Sequence, residues 1–239
     1  MLRTLLIRGM LAGLAAGVVA SVFAYLFGEG PVDDAIGFEA AMSHHDEPEL
    51  VSRGVQSTAG LLVAVSAYAI AIGGLFALVF ALSLGRIGTL SARGRAAAVA
   101  ALGFVVVVLV PFLKYPANPP AVGVGGTIGE RTELYFGFLA ISLLAAAVAV
   151  FAWTKLRTSL DSFAAATISG GGYLVLVAVA AWLMPAIDEV PDGFSASLLW
   201  TFRLSSLGTQ AVLWTCLGLV FGVLARSPLG EKRRAMAFV

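Results

Sequence analysis

One short stretch of the sequence, MSHHDEPEL, brings together imidazole and carboxylate side chains: His44, His45, Asp46, Glu47 and Glu49. This combination suits Co²⁺, Ni²⁺ or Zn²⁺ better than Mg²⁺ or Ca²⁺, which prefer shells of oxygen alone. Neighbouring residues on a helix point about 100° apart, so both imidazoles can hold one ion only in an irregular turn ahead of Pro48. The stretch predicts a labile metal-capture site with no tightly bound cofactor. A plain solvated acidic loop is the alternative.

The rest of the chain is strongly apolar. It has 239 residues, of which 59% are hydrophobic and only 12% are charged, and its mean hydropathy is +0.95. Soluble domains carry about 25% charged residues, so the composition indicates a membrane protein. The net charge of +1 gives no reason to expect a nucleic-acid partner.

Six apolar runs are long enough for membrane-crossing helices, which need about 20 residues. They are residues 5–27, 58–84, 96–113, 134–153, 163–184 and 204–225. Helices are expected because backbone amides in lipid must be satisfied within the segment. The first run is longer than the apolar core of a signal peptide, so we expect it to be retained. The prediction is one all-α integral membrane domain over 1–239, with an acidic outer loop at 28–57.

Charged residues divide unequally between the two ends of these helices. Most of the basic residues fall at the end that holds both termini, and most of the acids fall at the other end. Basic loops stay in the cytoplasm, which predicts that both termini are cytoplasmic in a bacterial cell membrane. The acidic outer face would then concentrate cations and repel anions, unless its acids serve only to keep the loops in water.

Little in the helix interiors is suited to catalysis. No Asp, Glu, His or Lys lies in the middle of a run, and no phosphate loop or nucleophile-base-acid pattern occurs, so we expect no enzyme. The midplane offers only weak donors: Ser66, Tyr68, Ser142, Tyr173, Thr215 and Cys216. We expect core roles for them. The glycines of the first run predict close helix packing, and Gly73-Gly74 and Gly170-Gly171-Gly172 predict either close packing or a local break in the helix.

Three runs from the outer to the inner side begin near an arginine: Arg53, Arg131 and Arg203. The repeat hints at three parallel helical hairpins. A cation at a helix N-terminus opposes the helix dipole, so each arginine needs an acidic neighbour. The nearest candidates are Glu47 or Glu49 for Arg53, Glu130 or Glu133 for Arg131, and Asp188, Glu189 or Asp192 for Arg203. An alternative is that the three guanidiniums converge on an anionic solute.

The loop VPFLKYPANPPAVG follows the third run. Pro111 is expected to kink the helix, and Lys114 can reach the interface. The remaining prolines stiffen the loop, which suits a vestibule or gate. Together with Arg53, Arg131, Arg203, Glu130, Asp188 and Glu189, Lys114 makes up the predicted charge pairs or gate of the outer face.

Several of these stretches carry a family resemblance. MLRTLLIRGMLAGLAAG, ELVSRGVQSTAGL, VPFLKYPANPPAVG, TIGERTELYF and EVPDGFSASLLWTFRLSSLGTQ resemble the CbtA family of proposed cobalt transporter subunits. The resemblance runs from Met1 to about Gly222. It implies cobalt uptake together with CbtB, a short single-helix partner that bears histidines. Relatives often carry a longer histidine-rich run where this chain has only His44 and His45.

Two other functions fit the sequence. One is a structural or assembly subunit that docks a partner through small-residue helix faces and transports nothing. The other is a permease for an organic anion or a corrinoid that uses Arg53, Arg131 and Arg203 as a clamp.

Overall fold

The structure, a computed structural model, describes residues 2–42, 51–85 and 90–225. It consists of helices α1 (Leu2–Phe27), α2 (Glu29–Met42), α3 (Arg53–Ser83), α4 (Ala92–Lys114), α5 (Ile128–Leu156), α6 (Ser162–Leu183) and α7 (Ala196–Leu224). Within this part of the chain, every helix except α2 is long and apolar enough to cross a membrane. The prediction of six membrane-crossing helices is confirmed.

Several helices extend beyond the apolar runs that revealed them. α7 begins at Ala196, ahead of the predicted start at Leu204, because the Ser195 side chain caps it by accepting a hydrogen bond from the Leu198 amide. Asp161 caps α6 in the same way. Hydropathy marks the part of a helix that lies in lipid, whereas capping decides where the helix begins.

The segment predicted as an acidic outer loop begins with a helix, which corrects the prediction for residues 29–42. α2 has a small apolar side, on which Ala35 is fully buried against Val122 and Phe194. The Phe38 and Phe194 rings meet edge to face, with centroids 5.0 Å apart. These contacts tie α2 to the loops that follow α4 and α6, so this end of the bundle has a core of its own.

Helices α1, α3, α4 and α7 surround the main core. α1 and α3 approach each other through small residues, and a Cβ added at Gly9, Gly13 or Gly73 would collide with the backbone of the opposite helix. The predicted close packing is confirmed at these positions. It is wrong for Gly170, Gly171 and Gly172 of α6, because a Cβ there would meet nothing within 4 Å among the described residues.

Aromatic side chains fill the half of this core that lies toward the α1 N-terminus. The rings of Phe76 and Phe80 in α3 pack edge to face on Phe221 of α7, with centroid distances of 5.1 and 4.9 Å. Leu213 and Leu217 are fully buried in the same cluster. This half of the bundle is therefore closed.

The α5–α6 pair attaches to the outside of the four-helix core. Tyr173 and Val177 of α6 and Ala145 of α5 pack on Val106 and Val110 of α4. α6 has no extensive contact with α7, which packs on α1 and α4 instead. The fifth and sixth spans therefore do not form a packed pair among the described residues, and the arrangement of three parallel hairpins stays a prediction.

α4 adjusts its hydrogen bonding ahead of Pro111. Residues Phe104–Leu109 form π-helical turns, in which a carbonyl pairs with the amide five residues later. The partner that this pattern assigns to the Val106 carbonyl is Pro111, which has no N–H. The Ser142 hydroxyl of α5 donates to that carbonyl instead, at 2.7 Å, and lies 2.9 Å from the Tyr173 hydroxyl. Ser142 thus replaces the donor that proline lacks.

Replacing Ser142 by alanine is expected to destabilise the protein by about 1–3 kcal/mol, because the half-buried Val106 carbonyl loses its donor. Thermal unfolding of the purified protein in detergent measures the change. Ser169→Ala is the matched control, since the Ser169 hydroxyl is buried without a hydrogen-bond partner among the described residues. A loss of stability at Ser169 as large as that at Ser142 would contradict the assigned role.

Candidate functional site

We call the end of the bundle that carries α2 and the loops at 115–127 and 184–195 the acidic end. Here Arg53, the first residue of α3, forms ion pairs with two carboxylates of α2. One is Glu29, and the other is Asp33, whose Oδ1 lies 2.9 Å from the arginine Nε. The pairs offset the unfavourable position of a cation at a helix N-terminus and tie α3 to α2.

Arg131 sits in the first turn of α5 and faces the loop before α7. Its Nε lies 3.3 Å from a carboxylate oxygen of Glu189, and its Nη2 donates to the Val124 carbonyl at 3.3 Å. Gly123 has a φ of +127° and leaves room for the guanidinium, with which a Cβ at that position would collide. The glycine is therefore required by both its backbone conformation and the arginine beside it.

Arg203 and Lys114 hold the proline-rich loop in place. Arg203 donates from Nη2 to Asn118 Oδ1 at 2.8 Å and from Nε to the Ala117 carbonyl at 3.4 Å. Lys114 donates to the Met184 carbonyl at 2.9 Å, and the Tyr115 hydroxyl donates to the Pro185 carbonyl at 2.8 Å. The loop is thereby fixed between α7 and the end of α6.

The arginines find partners other than their nearest acidic neighbours in the sequence. Arg131 pairs with Glu189 and not with Glu130 or Glu133, both of which are exposed. Arg203 is held by an amide and a carbonyl, and Asp188 acts on it only as a nearby charge. The predicted pairings were wrong for Arg131 and in part for Arg203, because loops distant in sequence bring in closer partners.

The predicted metal ligands His44, His45, Asp46, Glu47 and Glu49 lie outside the described residues. The two described ends of that segment, Met42 of α2 and Val51 before α3, both belong to the acidic end. Within residues 2–42, 51–85 and 90–225, no three or more His, Cys, Asp or Glu side chains cluster as a metal site. The metal site therefore stays a prediction about this segment.

A cavity of about 720 Å³ opens between α1, α3, α4, α5 and α7. Its lining runs from Glu29 at the acidic end to Tyr68 and Gln210, which lie near the midpoints of α3 and α7. Tyr68 and Gln210 both line the cavity at this depth. Gln210 Oε1 is buried and has no hydrogen-bond partner among the described residues. We call this space the central cavity.

Sequence reasoning missed several of these residues. Tyr68 was noticed as a weak midplane donor, but Gln210 was not, although an amide in the middle of an apolar run is the signal that would have identified it. Glu29 and Asp33 were counted as loop acids, and Asn118 was read only as part of a stiff loop. Their roles come from contacts between segments far apart in the chain.

The pKa of Glu189 is lowered, because the Thr127 hydroxyl and the Val124 amide donate to its carboxylate and Arg131 adds a positive charge. A lowered pKa contributes stability above the usual value of 4.5, and this is lost as the pH falls through the folded-state value. We therefore expect Glu189→Gln to lower the unfolding temperature at pH 7. The difference from the unmodified protein should shrink below about pH 4.5.

Unfolding temperatures of the two proteins, measured across this pH range, test the expectation. Glu130→Gln is the control, since Glu130 is exposed and forms no ion pair with any described residue. A pH-independent effect of Glu189→Gln would contradict a role for the charge.

Six membrane-crossing helices around a cavity that reaches the middle of the bundle define a multi-pass helical membrane protein. The chain belongs to the CbtA family, whose model, described as "Probable cobalt transporter subunit (CbtA)", matches residues 2–226. This confirms the resemblance noted from the sequence, and it places the chain in a family described as transporter subunits. Comparison with curated proteins and with solved structures gave no match.

Proposed function

We propose that this chain is the membrane subunit of an uptake system for a divalent transition metal, with cobalt as the substrate, in the bacterial cell membrane. The chain belongs to the CbtA family, and the observation in its structure that carries the proposal is the central cavity. It connects the acidic end to an amide oxygen, Gln210 Oε1, that has no hydrogen-bond partner among the described residues. A buried acceptor of this kind is satisfied by a water molecule or by a hydrated cation.

The proposed orientation places the acidic end outside the cell and both termini in the cytoplasm, as the basic residues of the opposite end favour. Carboxylates such as Glu29 then raise the local concentration of cations at the mouth of the cavity. The aromatic cluster of Phe76, Phe80 and Phe221 closes the cytoplasmic half. In this orientation the molecule is open to the outside, and release to the cytoplasm requires this cluster and the α1–α3 contact to separate.

Metal capture is assigned to the segment His44–Glu49, which joins two helices of the acidic end. Its imidazoles exchange with the water of the arriving ion, and its carboxylates add oxygen ligands. A site with few protein ligands is labile, which suits transfer to the central cavity. A small CbtB-like subunit with histidines is the proposed partner, since the family is described as a subunit.

Replacing both His44 and His45 by alanine is expected to weaken Co²⁺ binding by at least about tenfold, because changes even to residues behind the ligands cost 10–100-fold in metal affinity. Titration of the purified protein with Co²⁺ measures the change. Glu130→Gln removes an exposed acid from the same end and serves as the control. Unchanged affinity in the double histidine variant would remove this segment from the mechanism.

The alternative of a three-arginine anion clamp is not favoured. Arg53 is held by Glu29 and Asp33, and it does not line the cavity that Arg131 and Arg203 share. The remaining alternative is a structural subunit, which only a transport measurement distinguishes from a transporter subunit.

Cobalt accumulation in cells that express the chain, with and without a CbtB-like partner, tests the proposal. No accumulation above that of empty cells in either condition, with the protein present in the membrane, would favour the structural subunit.

A further inference from the structure

A second cavity, of about 450 Å³, lies at the acidic end beside the central cavity. Three cationic side chains line it: Lys114 at the end of α4, Arg131 at the start of α5 and Arg203 in α7. No carboxylate is among its lining residues in the described part of the chain. We call it the cationic pocket.

The hydrogen bonds of these cations leave most of their charge unbalanced. Lys114 donates to a backbone carbonyl, and Arg203 donates to a carbonyl and an amide oxygen. Among the described residues, only Arg131 of the three has an ion pair, which it forms with Glu189. Asp188, which is exposed, acts on Arg203 from a distance. Carbonyl oxygens satisfy the hydrogen-bond donors but do not neutralise their positive charge. Among the described residues, the Glu189 carboxylate is therefore the one negative group paired directly with these three half-buried cations.

The rest of the lining suits an anion with several oxygen atoms. Guanidinium groups bind carboxylate and phosphate with paired hydrogen bonds, and an ammonium adds a third donor from another side. The polar residues Thr132, Tyr135 and Asn118 also line the pocket. Apolar residues, among them Phe136 and Ile187, complete the lining.

We propose that the cationic pocket binds a small oxyanion that carries carboxylate or phosphate groups, through Lys114, Arg131 and Arg203. Tyr115, Pro116, Tyr135 and Phe136 line both this pocket and the central cavity, so the bound anion lies next to the central cavity. The same chemistry comes from a free anion such as citrate or phosphate, or from the headgroup of an anionic lipid. The inference does not depend on cobalt transport, because binding is measured on the purified protein.

The test is calorimetric titration of citrate and of inorganic phosphate into the full-length protein, in a neutral detergent and in phosphatidylcholine nanodiscs. We expect saturable binding that weakens as the salt concentration rises. Lys114→Gln should weaken it by about tenfold or more, because a hydrogen bond from a charged group is lost. Lys155→Gln, which removes a lysine outside the pocket in the last turn of α5, is the matched control and should bind as the unmodified protein does.

A second arm identifies the source of the anion. If citrate binds more weakly in phosphatidylglycerol nanodiscs than in phosphatidylcholine nanodiscs, and Lys114→Gln abolishes the difference, a lipid headgroup occupies the pocket. Equal binding in both lipids, still weakened by Lys114→Gln, assigns it to a free anion. Absence of citrate and phosphate binding together with no difference between the lipids would overturn the proposal, as would equal affinity in Lys114→Gln and the unmodified protein.

Discussion

Replacing Gly13 by isoleucine is expected to lower the unfolding temperature by on the order of 10 °C, because α1 can no longer reach α3. A Cβ at this position meets the Ala69 carbonyl and the Ile70 Cα, which are backbone atoms that no side-chain rotation can move. The helices must separate along a contact that also includes Gly9 and Gly73. Overpacking costs about 1–3 kcal/mol where side chains can adjust, and the loss here should fall at or above the upper end of that range.

The measurement is thermal unfolding in detergent, with size-exclusion chromatography to confirm the folded fraction. Gly171→Ile is the matched control, because it makes the same change on α6, where a Cβ meets no described residue within 4 Å. Isoleucine is a slightly better helix former than glycine, so this variant should be neutral or a little more stable. Equal losses in both variants would mean that the α1–α3 contact does not set the stability.

Replacing Gln210 by leucine is expected to reduce cobalt accumulation by about tenfold or more in cells where the unmodified chain supports uptake. The substitution keeps the size of the side chain but removes the oxygen at the inner end of the central cavity, which has no partner among the described residues. An interaction between a charged group and a hydrogen-bonding partner contributes about 1.5–3 kcal/mol, and 1.4 kcal/mol corresponds to a factor of ten. We expect this loss of cobalt accumulation even if the Gln210→Leu variant still binds Co²⁺ at the acidic end.

Thr215→Val is the control for this experiment. Thr215 also lies in α7, but it lines an apolar groove with Ala97, Phe104 and Trp214 and not the central cavity. Membrane levels of each variant, measured by immunoblot, separate lost transport from lost protein. If Gln210→Leu accumulates cobalt as the unmodified chain does, the ion does not pass this oxygen, and the path must be sought elsewhere.

Several parts of the fold could be predicted because they depend on local composition. A run of about 20 apolar residues must become a helix in lipid, whatever surrounds it, so all six spans were found. Glycines at a spacing of four residues mark one face of a helix, and the face of Gly9 and Gly13 does contact Gly73 and Ala69. The same reasoning failed for Gly171, because a glycine face shows only that a helix can approach, not that one is present.

The candidate site required the tertiary structure. Short α2 has too few apolar residues to stand out from a loop, and it is held by Val122 and Phe194 from loops far along the chain. In the same way Arg131 pairs with Glu189 rather than with the nearer Glu130, since separation in space and not in sequence decides an ion pair. The His44–Glu49 metal site stays a prediction from residue chemistry.

The sequence by itself determined that this protein has six helices suited to crossing a membrane, how charge divides between its two ends, and which family it resembles. These properties depend on the hydropathy and charge of short stretches of sequence, which can be read without knowing how the helices pack. Only the tertiary structure decided that Gln210 ends a cavity and that Lys114, Arg131 and Arg203 share a pocket. The physical reason is that a cavity exists only between helices, and the residues that line it are brought together by packing across the whole chain.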